Sequence, residues 1–441
     1  ARELLGDGLG ALVPFGDSNA IAKEVIALLR DDNRRQDIRR RSYMLGREMT
    51  WGNTAHHYMR SFELARRSSA SASLPRLGVK TLDEKHLDLP EFRSDHLSRM
   101  TDSTGIFQHA VYQLPDYSHG YCTDDNARAL ILTVLLEELE IVFPERGRLS
   151  GTYASFLQYA FDPATGRFRN FMSFERRWLE SRGSEDSQGR ALWALGMCAG
   201  RSKEKALAAW ASGLFIKALP KIAETGSPRT CAFTLLGIGE YFRSDHAEVS
   251  AESIRRTLRL RLVEQFQGCE KTDWPWFEET VSYANARLPH ALLLGGRNDE
   301  NAEAFDIGLR SLRWLLSIQK NPAGKFRAIG SNGFYPRGRT PALFDQQPIE
   351  AHATVSACLE AFRATEDRFW FEEARTAFDW FLGRNDLGLS LYDPKTGGCC
   401  DGLHAERLNQ NQGAESTLAY LIALAEMKLL ANDIKAFEKP T

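Results

Sequence analysis

The sequence has no surplus of either charge. Its 58 acidic and 56 basic residues leave a formal net charge of −2, with an isoelectric point near 6.6. A chain that binds nucleic acid needs a basic face to displace counterions from phosphates, so nucleic acid is excluded as a partner. Long apolar runs are also missing. The strongest, 129–143, is shorter than a bilayer span and carries Glu137, Glu138 and Glu140, so no membrane partner is expected. Cysteine is scarce and odd in number. Of the seven, Cys198, Cys231 and Cys358 sit inside apolar helical text, which suits a reducing, cytoplasmic setting better than a disulfide framework. Neither Cys399-Cys400 nor His119-Gly-Tyr-Cys122 has the spacing of a metal site, and no metal or organic cofactor is implied. There is no Gly-x-Ser-x-Gly for a serine hydrolase and no signal peptide at Ala1, where the start reads as a processed boundary.

What the chain does have is one phrase used six times: a polar, aromatic loop running into a helix of small and apolar residues. The instances begin at Cys122, Ser184, Ser227, Phe277, Gln347 and Gln412. Between them, 203–224, 249–267, 301–319 and 371–383 place apolar residues at helical spacing, as amphipathic outer helices do. The inner starts are about 40 to 70 residues apart, too irregular for an open solenoid. The expected fold is mainly α: an (α/α)6 toroid over 91–434, with its six inner helix starts gathered at one mouth. Strand signals are few, and 167–171 and 325–329 are expected as short hairpins there.

The first 68 residues read differently. Residues 6–19 give a turn, a short strand and a helix cap, and helices follow at 18–30, 32–48 and 51–67. Gly8-Leu-Gly10 lacks the Gly-Lys-Ser ending of a phosphate loop and reads as a turn. Residues 69–90 form a small, polar linker. Gly10-Ala-Leu-Val-Pro-Phe-Gly-Asp17, residues 20–29, Asp31-Asp-Asn-Arg34 and Met49-Thr-Trp-Gly52 resemble the carboxyl-terminal tail of retaining glycosyltransferases with two Rossmann-like halves. The resemblance implies a short α/β remnant and a possible glycosyltransferase half in a longer parent protein. The donor-binding acids of that family lie upstream of this stretch, so transfer from a nucleotide sugar is not expected from this chain alone.

Chemistry concentrates at the six inner starts, which carry Asp124, Asp125, Glu185, Asp186, Glu278, Glu279, Glu350 and Glu415. Acids favour helix N-termini for capping reasons alone. Here, however, they are set among His119, Tyr121, Trp274, Trp276, Asp345, His352, His404 and Gln412, and a pyranose site needs aromatic faces beside carboxylates and amides. The pattern Asp-x-x-x-Arg-Ala-Leu occurs at both Asp124–Arg128 and Asp186–Arg190, a spacing at which acid and base pair on one helix. Asp124 and Asp186 are therefore the expected ion-pair partners, which leaves Asp125 and Glu185 freer to face the mouth. Asp125, favoured as an anion at a helix start, is assigned the base or nucleophile role, with Glu185 as alternate. Glu278 or Glu279, following Trp274-Pro-Trp-Phe277, is assigned the acid role, with Glu350 next. Asp124, Arg128, Asp186 and Glu415 join the aromatic, histidine and amide groups as substrate contacts.

The stretch 100–110 with His119-Gly-Tyr-Cys-Thr-Asp-Asp-Asn-Ala-Arg-Ala-Leu130 resembles a bacterial domain fused behind such glycosyltransferases. More broadly, 91–434 resembles the six-hairpin glycosidases, and adjacent Asp124-Asp125 is similar to the paired aspartates of endo-mannanases of that fold. The resemblance implies a glycoside hydrolase acting on an oligosaccharide or small sugar. An epimerase, favoured if His352 and His404 share one side of the mouth, is an alternative. So are a phosphorylase using Arg128 and Arg190, and a non-catalytic sugar-binding toroid serving a glycosyltransferase.

Overall fold

A computed structural model describes residues 5, 9–48, 50–71, 89–244, 248–298 and 301–437. The chain divides into two compact units, Ala1–Asp83 and Glu84–Thr441. The first contains helices α1 (Ser18–Arg30), α2 (Asp32–Glu48) and α3 (Trp51–Ser71). Asp17 and Asp31 start the first two, each accepting a backbone N–H three residues on at 2.9 Å. Of the strand expected within 6–19, none is seen over 9–17, and 6–8 lie outside the described residues; the regular elements described in this unit are helices. Of the expected linker, 69–71 complete α3 and 72–88 lie outside the described residues.

The second unit begins with the one-turn helix α4 (Asp95–Arg99). Two kinds of helix then alternate. The inner ones are α5 (Thr123–Glu138), α7 (Glu185–Arg201), α9 (Pro228–Tyr241), α11 (Arg287–Asn298), α13 (Pro348–Thr365) and α15 (Ala414–Phe437). The outer ones are α6 (Arg146–Ala160), α8 (Lys205–Ala218), α10 (Val249–Cys269), α12 (Ala302–Ile318) and α14 (Arg368–Asp379). Inner helices are buried on every side, as in α13, where each residue from Pro348 to Ala361 is buried. Outer helices bury one stripe, as α12 does with Ala304, Ile307, Gly308, Ser311, Leu312 and Leu315. The toroid expected from the repeats is thus the observed fold.

Crowding about the axis explains the small residues of the inner helices. A Cβ added to Gly196 would lie 2.0 Å from the Gly237 carbonyl oxygen, and one added to Gly200 would lie 1.8 Å from that of Glu240, so α7 and α9 touch backbone to backbone. Gly213, exposed on outer helix α8, meets nothing within 4 Å. There Gly213→Ala is expected to stabilise the fold by about 0.5–1 kcal/mol through helix propensity alone, readable as a raised urea midpoint at unchanged slope.

The fourth inner start differs from expectation. Ala284 has φ 47°, a left-handed turn that no helix can run through, and α11 begins only at Arg287. Glu278 and Glu279 therefore precede a strand rather than opening a helix. Among the described residues, ten two-residue strands form antiparallel pairs: β1 (Ala110–Val111) with β2 (Leu114–Pro115), β3 (Tyr121–Cys122) with β6 (Phe171–Met172), β4 (Phe161–Asp162) with β5 (Arg167–Phe168), β7 (Thr280–Val281) with β8 (Tyr335–Pro336), and β9 (Gly402–Leu403) with β10 (Leu408–Asn409). The expected hairpin at 325–329 is reduced to one bridge, Lys320 to Phe326. One helical run, Lys205–Ala223, has the length and mean hydropathy (1.2) of a membrane span, which the sequence reading missed; its Ala211, Leu214, Phe215 and Ala218 are buried in the toroid. All seven cysteines are unpaired.

The ring closes where α15 packs on α5. Loops from the two ends are stitched there: Ala414 N–H donates to Gln108 O (3.0 Å), Gln412 N–H to Tyr112 O (2.8 Å), and Tyr112 N–H to Asn411 Oδ1 (2.9 Å).

Candidate active site

A cleft of about 370 Å³ opens at this seam. Its lining includes Asp124, Asp125 and Arg128 from α5, Glu415 and Ser416 from α15, and Gln108, His109, Gln347, Asp401 and Asn409 from the loops. Asp401 is placed by its own loop. Its N–H donates to Asn411 O (2.7 Å), its Oδ1 accepts from Gly413 N–H (2.8 Å), and β9 and β10 follow directly.

Arg128 organises the carboxylates. It donates to Asp125 Oδ1 at 2.6 Å and to Glu415 Oε2 at 2.5 Å, joining the first and last inner helices. Asp125 Oδ2 also accepts the Cys122 thiol at 3.0 Å. The guanidinium pairs with Asp125, three residues back, so the expected pairing with Asp124 is corrected. Nor is Asp125 held low by its helix start. Burial pushes its pKa up to about 6 against the pull of Arg128, with Glu415 adding to the rise. Burial likewise pushes Asp401 up to about 6, opposed by the Gly413 N–H and the Ser416 hydroxyl and reinforced by Glu415 and Asp125. These two carboxyls thus sense each other's charge across one cleft.

Other expected site residues do structural work instead. Glu185 caps the turn before α9, accepting from Gly226 N–H (3.2 Å) and Ser227 N–H (3.1 Å) as well as the Thr225 hydroxyl. Glu278 pairs with Arg229 at 2.8 Å, and exposed Glu279 pairs with Arg337 at 2.7 Å. Glu350 is buried and holds the 284–285 turn, accepting from Ala284 N–H and from Asn285 N–H and Nδ2. Trp274 and Trp276 are 2% and 0% exposed, core residues rather than sugar platforms. Tyr121 is buried with its hydroxyl on Asp102 at 2.6 Å. Gln412 is buried as well, its carbonyl accepting from His96 Nε2 at 2.7 Å.

The remaining groups divide between axis and rim. His352 is buried at the axis with Arg287 donating to its Nε2 at 2.9 Å, so the proton is on Nδ1; burial and that guanidinium hold it neutral. His404, between β9 and β10, bonds Asp345, whereas His352 bonds Arg287, and neither histidine is among the residues that line the cleft. His119 is exposed at the rim, its ring edge-on to His109 at 4.6 Å. Asp186 accepts from Tyr283 (2.6 Å), Ser227 and Thr230 (both 3.2 Å) rather than pairing with Arg190. Asp401 and His109 were missed. His109 follows Gln108 in the quoted stretch 100–110, whereas Asp401 sits after two cysteines in a loop, where no helix start drew attention to it. Among the described residues no cluster of three metal ligands exists.

No protein-family profile and no curated protein matches the chain. Solved structures do match its fold. A cellobiose 2-epimerase from Bacillus thermoamylovorans aligns with TM-score 0.57 at 12% identity, over 76% of this chain and 95% of its own. A D-mannose isomerase aligns with TM-score 0.57 at 12% identity, over 76% and 94%. An α-mannanase of Bacteroides thetaiotaomicron aligns with TM-score 0.55 at 11% identity, over 78% and 95%. These structural neighbours are all carbohydrate-active enzymes, and what they share with this chain is the toroid.

Proposed function

We propose that the toroid is a glycoside hydrolase acting on an oligosaccharide or small sugar. The observation that carries this reading is the pair Asp125 and Asp401, which line one cleft, each with a pKa raised to about 6. Hydrolysis needs one carboxyl protonated and one ionised. Asp401 takes the acid role because its partners are a backbone N–H and a hydroxyl, with no guanidinium in hydrogen-bond contact to fix it as an anion. Asp125, bonded to Arg128, takes the base or nucleophile role. Glu415 completes the electrostatics, and Asp124, Gln108 and Asn409 supply polar contacts for hydroxyls.

A screen of manno-, gluco-, galacto- and uronide oligosaccharides tests the proposal. The expected result is sugar release with a bell-shaped pH profile centred near pH 6. The rate rises as the base loses its proton and falls as the acid loses its own, and both limbs belong to the pair. Silence across the panel would remove the hydrolase.

A sugar epimerase is the second reading, favoured by His109. It lines the same cleft, and burial together with His119 lowers its pKa, keeping it a neutral base. Conversion of a reducing sugar without bond cleavage, lost in His109→Asn, would select it. The N-terminal helices are proposed as the tail of a glycosyltransferase half, supported by the residues 10–17, 20–29, 31–34 and 49–52 that carry the resemblance, most of which fall in or beside α1 and α2.

A further inference from the structure

The two copies of Asp-x-x-x-Arg-Ala-Leu have different fates. Arg128 is saturated by Asp125 and Glu415. Arg190, its counterpart on α7, makes no hydrogen bond among the described residues, although only 6% of it is exposed. Its guanidinium lies over the Phe233 ring at 4.1 Å, which fixes its plane. The nearest carboxylate oxygen is Asp124 Oδ1, 3.9 Å from Arg190 Nε and beyond hydrogen-bond reach. That oxygen is itself buried without a partner, while Asn170 Nδ2 holds the other one at 3.3 Å. Arg190 and the Asp124 oxygen thus stand 3.9 Å apart, each without a hydrogen bond, and Asp124 lines the cleft.

An oxygen placed about 2.8 Å from each atom would complete two hydrogen bonds at once. It must accept from Arg190 and donate to Asp124. A carboxylate or a phosphate dianion cannot donate, and around Arg190 the three carboxylates Asp124, Glu415 and Asp186 outnumber Arg128 and Arg190 itself, so a further anion is disfavoured. A hydroxyl does both. We infer that Arg190 and Asp124 form a clamp for one hydroxyl of a neutral sugar, making Arg190 a specificity-determining residue. The inference rests on the carbohydrate reading above and adds to it that the bound ring is uncharged.

The test uses the full chain with mannotriose, cellotriose, trigalacturonate and inorganic phosphate as probes, read by calorimetry and by turnover. The expected result is that a neutral trisaccharide binds and that Arg190→Met weakens it about 30-fold or more. On a hydrolysed sugar the loss appears in KM, with kcat changed less than about fivefold, and Arg190→Lys recovers part of it. Asp124→Asn, which keeps the side-chain shape, gives a loss of the same kind if Arg190→Met does not fold. Binding of neutral sugar without hydrolysis would remove the hydrolase and keep the clamp. Hydrolysis with unchanged KM in both variants would remove the clamp and keep the hydrolase. A preference for trigalacturonate, or competition by phosphate that is abolished in Arg190→Met, would overturn the inference.

Discussion

Asp401→Asn is expected to lower turnover by about 10²–10⁴-fold, the usual contribution of a positioned general acid, while making the protein more stable at neutral pH. The two effects share one cause. Burial raises Asp401 from an ordinary carboxylate value to about 6, so the folded state binds its proton more tightly than the unfolded chain does. The sign follows: this group's contribution is full below the unfolded pKa and is lost as pH rises through 6. At pH 7 the ionised, desolvated carboxylate therefore burdens the fold, by on the order of 1–2 kcal/mol after allowing for its partial exposure. Asparagine keeps an oxygen for the Gly413 N–H and carries no charge to desolvate. A thermal melt at pH 5 and at pH 7.5, compared with wild type, reads the second effect. The variant should gain at the higher pH and match wild type at the lower. Wild-type turnover in Asp401→Asn would take the acid role away from it.

Gly196→Ala is expected to destabilise the toroid by about 3 kcal/mol or more, against the small gain at Gly213. The substitution improves helix propensity equally at both positions, so the difference isolates packing. At Gly196 the new methyl would stand 2.0 Å from the Gly237 carbonyl oxygen, a backbone atom that no rotamer change can move aside. Helices α7 and α9 would have to separate, opening a gap along an interface that includes Gly200 against Glu240. Chemical denaturation of the two variants beside wild type measures the contrast. Equal midpoints for Gly196→Ala and wild type would show that the helices have room that their observed spacing does not provide.

The toroid was legible because its repeats obey local rules. Five of the six inner helices begin within two residues of the start of the repeated phrase, and Ser184 before α7 and Ser227 before α9 cap their helices as the sequence displays. The exception, 277–284, has the same composition, but a left-handed turn at Ala284 decides its course, and nothing in a run of acids and aromatics announces one. The site was read less well for a related reason. Asp125, Arg128 and Glu415 were recognisable by type and position. Whether Glu185 or Glu350 faces a cavity or a neighbouring turn depends on residues 40 to 66 positions away. The aromatic residues misled most. Trp274 and Trp276 are the side chains a sugar platform would use, and equally the ones a crowded barrel wall needs.

Because the cleft lies at the closing seam, its reactive groups come from opposite ends of the toroid: Asp125 and Arg128 from the first inner helix, Asp401 and Glu415 from just before and within the last. A chain that stopped before α15 would carry Asp125, Arg128 and Asp401 but lack Glu415 and the helix that closes the cleft, so the proposed site is assembled only when the last inner helix joins the first.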